Sequence, residues 1–235
     1  MSFKLIMPMA GRGTRFPDEK IEKPLIQVHG LPMFVFAEKC INLDFSERIF
    51  IVRREQNLKE DILKWFPDAV VVELENETQG TACTILTAKK HFENSSIFIS
   101  NCDQYVEWNS NKFLQLISRG VDGVIPTFLN KEREKKWSFA ELDDNNVIRV
   151  KEKDPISDYA TVGWYYFKEG KDFINSANTM IKNVDKVNNE FYTCPTYNWL
   201  LKDKSKIVKH FLVDKMQGIG TDKDLEIFLN SINND

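Results

Sequence analysis

The stretch that most constrains this chain is residues 4–25, which read KLIMPMAGRGTRFPDEKIEKPL. The apolar run that ends near Met7 predicts a strand, and the glycines at 11 and 13 predict a tight loop directly after it. Glycines let a backbone approach a ligand closely, and their amide groups can converge on an anion. An ordinary turn from strand to helix has the same glycines, so the loop alone does not establish a binding site.

Two phosphate-binding motifs can be excluded at this loop. In a P-loop counted from Gly11, the second glycine and the lysine would stand where this chain has Phe16 and Pro17. In the dinucleotide fingerprint, a third glycine or alanine would stand at Phe16. The chain is therefore predicted to be neither a P-loop protein nor a Rossmann dehydrogenase.

Composition narrows the class further. A chain of 235 residues with 42% hydrophobic and 29% charged residues is typical of a soluble globular protein. A net charge of -3 without a stripe of Lys and Arg argues against a nucleic-acid partner. No apolar run reaches the roughly 18 residues of a membrane span, and no signal-peptide pattern is present, so a cytoplasmic protein without a membrane partner is expected. The four cysteines and three histidines have no paired spacing, which favours reduced thiols over disulfides or zinc.

Strand and helix patterns alternate along the first half of the chain. Apolar, β-branched runs predict strands at residues 48–53, 69–74, 96–101 and 123–128, and helical patterns occupy 33–43, 58–66 and 80–90. This alternation predicts an α/β fold with a largely parallel sheet and helices on both faces. Asp103 follows the third of these strands at its carboxyl end, the rim where ligands bind in such sheets, although a lone Asp there is more often a turn cap.

The loop and the residues after it resemble a known family. Ala10-Gly11-Arg12-Gly13-Thr14-Arg15 and Lys23-Pro24-Leu25 match, residue by residue, the motif of the sugar-phosphate nucleotidyltransferases, also called nucleoside-diphosphate-sugar pyrophosphorylases. The resemblance runs from Lys4 to about Leu229. It implies a Rossmann-like, three-layer α/β/α nucleotidyltransferase fold of GT-A-like type with a mixed, mostly parallel sheet. One domain is expected over 1–235, with nucleotide binding in about 1–128 and acceptor binding in about 129–235; a homodimer is a family expectation.

The resemblance also implies a catalytic and nucleotide-binding set. Arg15 would neutralise the leaving phosphates, Lys23 would hold the α-phosphate, and Asp103 would be both a catalytic residue and the ligand of Mg²⁺. The nucleotide-binding positions implied by the family are Met9, Ala10, Gly11, Gly13, Thr14, Gln79, Gly80 and Thr81. Gly80 also fits a simple helix start. Family members that read uracil or thymine carry a glutamine several residues earlier, where this chain has Glu75 and Asn76, so the base is left open.

The second half carries the residues that the resemblance assigns to an acceptor: Glu152, Lys153, Thr161, Gly163, Glu190 and Tyr192. Two positions depart from the family pattern, since Asn188 replaces a cation and Gly218 replaces an aspartate that is often the second metal ligand. A sugar 1-phosphate acceptor, used with UTP, dTTP, GTP or CTP, is supported by Glu152 and Glu190.

A non-sugar acceptor is the competing interpretation. The chain looks most similar to small cytidylyltransferases of bacterial capsule polysaccharide modification, including a CTP-dependent enzyme that acts on phosphorylated glutamine. Transfer from CTP to a phosphorylated non-sugar acceptor, with release of pyrophosphate, is therefore the expectation. A different class, an inactive nucleotide-binding regulatory protein, is disfavoured because Arg15, Lys23 and Asp103 are all present.

Overall fold

The computed structural model describes residues 2–13, 16 and 21–232. Strands and helices alternate through the first half of this part of the chain, as the sequence predicts. The strands are β1 (Phe3–Pro8), β2 (Gln27–Val28), β3 (Leu31–Pro32), β4 (Glu47–Arg53), β5 (Val70–Leu74), β6 (Ser96–Ser100), β7 (Gln104–Glu107), β8 (Gly123–Leu129), β9 (Ser138–Asp143), β10 (Asn146–Glu152), β11 (Tyr159–Thr161), β12 (Trp164–Phe167), β13 (Val208–Leu212) and β14 (Lys215–Gly218). The helices are α1 (Met33–Ile41), α2 (Lys59–Trp65), α3 (Thr81–Thr87), α4 (Ser110–Ile117), α5 (Gly170–Lys182), α6 (Thr196–Leu200) and α7 (Asp222–Ile232).

A mixed sheet of ten strands organises the molecule, in the order β11-β9-β10-β13-β8-β12-β6-β1-β4-β5. The strands β6, β1, β4 and β5 run parallel to one another, and β13 is parallel to β8. In contrast, β12 is antiparallel to both β6 and β8, and the β9–β10 hairpin adds further antiparallel pairs. The mixed α/β sheet is confirmed, but the expectation of a mostly parallel sheet holds only for the first half, because hairpin connections build much of the second.

Both faces of the sheet are covered, which gives the three layers. Along β1, Ile6 packs into one apolar cluster with residues of α3 and α5, whereas Leu5 and Met7 pack into another with residues of α1 and α2. Successive side chains of a strand point to opposite faces, so a strand buried on both sides is apolar throughout. The same requirement accounts for the continuous apolar run of β4. No helix among the described residues is long and apolar enough to cross a membrane.

A second, two-stranded sheet brings the end of the chain to the rim of the large one. Here β14 pairs antiparallel with β7, with Gly218 opposite Gln104. The backbone N–H of Ile219 donates to the carbonyl of Asp103 at 2.9 Å. Thr221 precedes α7 and caps its first turn, because its hydroxyl accepts a hydrogen bond from the N–H of Asp224 at 3.1 Å. The chain segment around Gly218 therefore lies against the carboxyl end of β6.

Candidate active site

The glycine loop follows β1 and is anchored at its start. The N–H of Met9 donates to the carbonyl of Ile51 at 2.7 Å, and Gln56 Nε2 donates to the carbonyl of Met9 at 3.1 Å. Gly13 has a φ of +65°, and a Cβ built there would lie 3.3 Å from the Cβ of Lys23. The loop therefore packs directly on Lys23. Thr14 and Arg15, which the resemblance places in the site, lie outside the described residues.

Lys23 and Asp103 form an ion pair between Nζ and Oδ2 at the rim of the sheet. Their side chains are only 12% and 17% exposed, so the pair is largely shielded from solvent. Asp103 is carried there by the end of β6, as the sequence predicts. Gly220 closes the other side, since a Cβ at this position would lie 2.4 Å from Asp103 Oδ2. The structure thus brings together two of the three residues predicted to be catalytic.

The side chain of Gln104 holds the turn that carries Asp103. This side chain is 1% exposed, and its Nε2 donates to Ser100 Oγ at 3.2 Å and to the carbonyl of Asn101 at 3.1 Å. A buried side chain with fixed hydrogen bonds holds the backbone around it in one arrangement. Gln104 therefore fixes the path of the chain on both sides of the carboxylate.

The carboxylate of Asp103 offers oxygen atoms of the kind that the predicted Mg²⁺ would require. Among the described residues, no group of three or more His, Cys, Asp or Glu side chains could hold a metal. At position 218, a Cβ would lie 3.0 Å from the ring of Trp137, and the residue supplies no side-chain oxygen. Mg²⁺ is usually bound by one or two carboxylates together with substrate phosphates and water. One carboxylate beside the predicted triphosphate site fits this ion.

The turn before α3 is tied to a segment of the second half. The N–H of Phe191 donates to the carbonyl of Gln79 at 2.8 Å, and its carbonyl accepts from the N–H of Ala82 at 2.9 Å. Gly80 has a φ of +121°, and a Cβ there would lie 2.5 Å from the backbone nitrogen of Phe191. Only glycine fits so close to another backbone. The helix α3 then begins at Thr81, so the predicted helix start is confirmed.

This turn also lies beside the glycine loop. Arg12 Nε forms a hydrogen-bonded ion pair with Glu77, and Arg53 Nη1 lies 3.3 Å from the same carboxylate. The hydrogen bond from Arg12 holds the pKa of Glu77 below its ordinary value. The predicted nucleotide-binding positions at 9–13 and 79–81 are therefore on adjoining segments.

The predicted acceptor residues form a partly buried group behind the rim. Glu152 is 8% exposed and accepts a hydrogen bond from Ser138 Oγ. Burial raises the pKa of Glu152, and the nearby negative charge of Glu190 raises it further. Lys153 Nζ donates to the hydroxyl of Tyr192 at 2.6 Å and lies 4.7 Å from the centre of its ring. Four of the six predicted acceptor residues are thus close to one another.

Thr161 and Gly163 occupy different positions relative to this group. Thr161 is 2% exposed, and its hydroxyl lies 3.1 Å from the hydroxyl of Tyr165, so its polar atom has a buried partner. Gly163 has a φ of +81°, and a Cβ there would lie 2.3 Å from Asn101 Nδ2. The N–H of Asn101 also donates to the carbonyl of Gly163 at 3.2 Å. Gly163 therefore joins the second half to the strand end that precedes Asp103.

Position 188, where the family pattern has a cation, lies in a tight turn. Asn188 and Asn189 have φ values of 48° and 64°, and the flanking Val187 and Glu190 exchange two backbone hydrogen bonds. Apart from glycine, asparagine is among the residues that best tolerate this left-handed backbone. The residue types at this turn follow from its geometry, and Glu190 comes directly after it.

Sequence reasoning did not assign Gly220, Gln104 or Ser138 to the site. The Gly-Ile-Gly-Thr run at 218–221 was a visible signal for Gly220, because closely spaced glycines often mark close approach to another group. Gln104 and Ser138 gave no local signal, since their contacts depend on how distant strands pair.

A surface groove lies away from these residues. It has a volume of about 700 Å³ and is lined by Phe3, Glu38, Arg48 and Asn111 among others. Phe3 begins β1, so this groove lies at the amino end of the strand, opposite the rim that carries Lys23 and Asp103. It contains none of the predicted site residues.

Comparison with known proteins agrees with the fold described above. Residues 4–215 match the family model described as nucleotidyl transferase. No curated protein sequence matches the chain. A nucleoside-diphosphate-sugar pyrophosphorylase from Vibrio cholerae RC9 has a similar structure, with a TM-score of 0.83, 24% identity, and coverage of 96% of this chain and 99% of that one.

Two further solved structures share the fold at lower identity. An inositol-1-phosphate CTP transferase from T. maritima has a TM-score of 0.76 and 14% identity, covering 99% of this chain and 96% of that one. A UDP-glucose pyrophosphorylase solved with UDP-glucose has a TM-score of 0.76 and 16% identity, covering 100% and 99%.

The α/β fold, with a cation beside a carboxylate at the strand ends, is compatible with an enzyme of phosphorylated ligands. The family match extends over most of the chain, which therefore belongs to the nucleotidyl transferase family and is a nucleotidyltransferase.

Proposed function

We propose that this enzyme transfers a nucleotidyl group from CTP to a phosphorylated small molecule that is not a sugar, such as a phosphoglutamine, with release of pyrophosphate. The observation that carries the transfer site is the shielded Lys23–Asp103 pair beside the glycine loop. A cation and a carboxylate that share one rim can hold a phosphate group and a divalent cation at adjacent positions.

Each residue then has a distinct role. The amides around Gly11 and Gly13 receive the triphosphate, and Lys23 moves from Asp103 to the α-phosphate oxygens. Asp103 would hold Mg²⁺, which when bound would neutralise part of the charge on the phosphates. Arg15, outside the described residues, acts on the leaving pyrophosphate.

The reaction is an in-line displacement. An oxygen of the acceptor phosphate forms a bond to the α-phosphorus, and the bond from that phosphorus to the bridging oxygen of pyrophosphate breaks. The acceptor phosphate is already an anion near neutral pH, so no general base is required. The protein therefore contributes by positioning the two phosphates and by stabilising negative charge.

The residues of the proposed acceptor site favour an acceptor molecule that carries hydrogen-bond donors. Glu190 lies close enough to Glu152 for its negative charge to raise the pKa of Glu152. Both carboxyl groups can accept hydrogen bonds. Asn188 and Asn189 form a turn without charge where a cation would grip a sugar phosphate. The two carboxyl groups fit any acceptor that is rich in hydrogen-bond donors, and the uncharged turn is the feature that favours an acceptor other than a sugar phosphate.

A sugar 1-phosphate acceptor is the second candidate. The similarity to the pyrophosphorylases named above favours it, since both of those proteins are named for nucleotide-sugar chemistry. Hydroxyl groups of a sugar would also donate to Glu152 and Glu190.

A pyrophosphate-release screen decides between the two. The enzyme is incubated with Mg²⁺ and each of CTP, UTP, dTTP, GTP and ATP, once with a panel of sugar 1-phosphates and once with phosphorylated amino acids and amino alcohols. Turnover with CTP and a non-sugar acceptor is expected, whereas turnover with sugar phosphates alone would overturn the acceptor proposal.

Substitutions at the pair test the transfer site itself. Lys23→Met and Asp103→Asn should each reduce kcat by about 10²-fold or more, because each removes a charge that acts on the transferred group. EDTA should abolish turnover and excess Mg²⁺ restore it. Wild-type rates in both variants would refute the roles given to the pair, and nucleotide binding without pyrophosphate release in the wild type would indicate a regulatory protein.

A further inference from the structure

Lys186 makes a specific contact with Gln79 that the roles described above do not explain. Its Nζ donates to Gln79 Oε1 at 2.9 Å, although the two residues are far apart in sequence. The ammonium group also lies 4.7 Å from the centre of the Phe191 ring. Because the backbone of Phe191 is bonded to Gln79 and Ala82, the lysine and the turn that it contacts are held in one rigid unit.

The contact fixes which way the Gln79 carboxamide points. A lysine ammonium has three donors and no acceptor, so the oxygen of the carboxamide has to face it. The NH₂ group of Gln79 then points away from Lys186. Gln79 is exposed, and its Nε2 makes no hydrogen bond to the part of the chain that the structure describes. The two N–H donors are therefore available to a ligand.

The turn that carries Gln79 adjoins the glycine loop. Glu77, two residues before Gln79, is paired with Arg12 of that loop. We propose that Lys186 positions Gln79 so that it offers only donors to the nucleobase, which selects cytosine over uracil. This inference rests on the proposed function, since it assigns the base at the nucleotide site proposed above.

The selection follows from the hydrogen-bonding pattern of the two pyrimidines. The two bases differ at ring positions 3 and 4: N3 of cytosine is an acceptor and its 4-amino group a donor, whereas N3–H of uracil is a donor and its O4 an acceptor. An N–H of Gln79 that faces position 3 therefore bonds to cytosine, but meets another N–H in uracil. A site built to bond a polar group rejects a ligand that leaves its donors unpaired, because the desolvated donors find no partner. If the carboxamide were free to turn, its oxygen could accept from uracil and the discrimination would be lost.

The test compares CTP with UTP in the wild type, Lys186→Met, Lys186→Arg and Gln79→Glu. Lys182→Met is the control, because Lys182 is an exposed lysine at the end of α5 with no ion pair among the described residues. The readouts are the ratio of kcat/KM for CTP and UTP in pyrophosphate release, and the two dissociation constants measured by calorimetry with Mg²⁺. Circular dichroism establishes that each variant is folded.

The wild type, Lys186→Arg and Lys182→Met should prefer CTP by about tenfold or more, the discrimination that good hydrogen bonds to a base edge provide. Lys186→Met and Gln79→Glu should lose most of this preference. An unchanged ratio in Lys186→Met, or a wild type that prefers UTP, would overturn the inference while leaving nucleotidyl transfer intact. If the wild type releases no pyrophosphate, the proposed function fails, and the binding constants still decide the role of Lys186.

Discussion

Replacement of Gly220 by alanine tests the geometry around Asp103 most directly. The added Cβ would lie 2.4 Å from Asp103 Oδ2 and 3.2 Å from its Cγ, where ordinary contact begins at 3.4 Å. The carboxylate therefore has to move by about 1 Å, and a displacement of this size in a catalytic group costs on the order of 10²-fold in rate. Gly220 is not among the glycines with positive φ, so alanine adds no backbone strain of that kind.

The assay is steady-state pyrophosphate release at saturating nucleotide, combined with urea unfolding to measure stability. Gly220→Ala should lose about 10²-fold in kcat with a change in unfolding free energy below about 1 kcal/mol. The control is Gly120→Ala. Gly120 has a φ of +84° and no atom within 4 Å of a built Cβ, so alanine there is strained but not crowded.

The control variant should lose about 1 kcal/mol of stability through its left-handed backbone and keep its turnover. Wild-type turnover in Gly220→Ala would refute the reasoning, because it would mean that the carboxylate does not need its observed position. A loss of activity that only parallels a loss of folded protein would refute it equally.

Two further predictions concern the acceptor side. The pKa of Glu152 is raised above its ordinary value of 4.5, chiefly by burial, so wild-type stability should fall as pH rises from that value through the folded pKa. Glu152→Gln removes this dependence and should gain stability relative to wild type as pH rises above about 4.5, measured by urea unfolding; a difference that stays constant with pH would contradict the burial argument. Asn189→Ala should cost about 1 kcal/mol because its φ is 64°, whereas Asn189→Gly should not, and equal melting temperatures for the two variants would show that the turn is not strained.

The sequence predicted the first half of the fold well for a physical reason. Parallel strands buried on both faces are almost continuously apolar, and the run at 48–53 became β4, which spans Glu47–Arg53. The β9–β10 hairpin and the capping of α7 by Thr221 likewise depend on local residue types. The direction of β12 between β6 and β8 could not be predicted, since no local pattern indicates which strands become its neighbours.

The candidate site likewise combines features that local sequence predicts with features that depend on tertiary packing. Lys23 and Asp103 could be placed together because a loop after one strand and a residue after another share the rim of a parallel sheet. The closure of Asp103 by Gly220 and its support by Gln104 depend on the pairing of β14 with β7. Those strands, QYVE and KMQG, lack a clear alternating pattern, so their register follows from tertiary packing.

The pairing of β14 with β7 also bears on how the protein is made. The four parallel strands come from the first 100 residues and can assemble while the ribosome is still at work. The wall beside Asp103 is supplied only when residue 220 has emerged. A nascent chain that stalls earlier would carry the four parallel strands without the wall beside Asp103, so the candidate site is completed only after the strands of the large sheet have been synthesised.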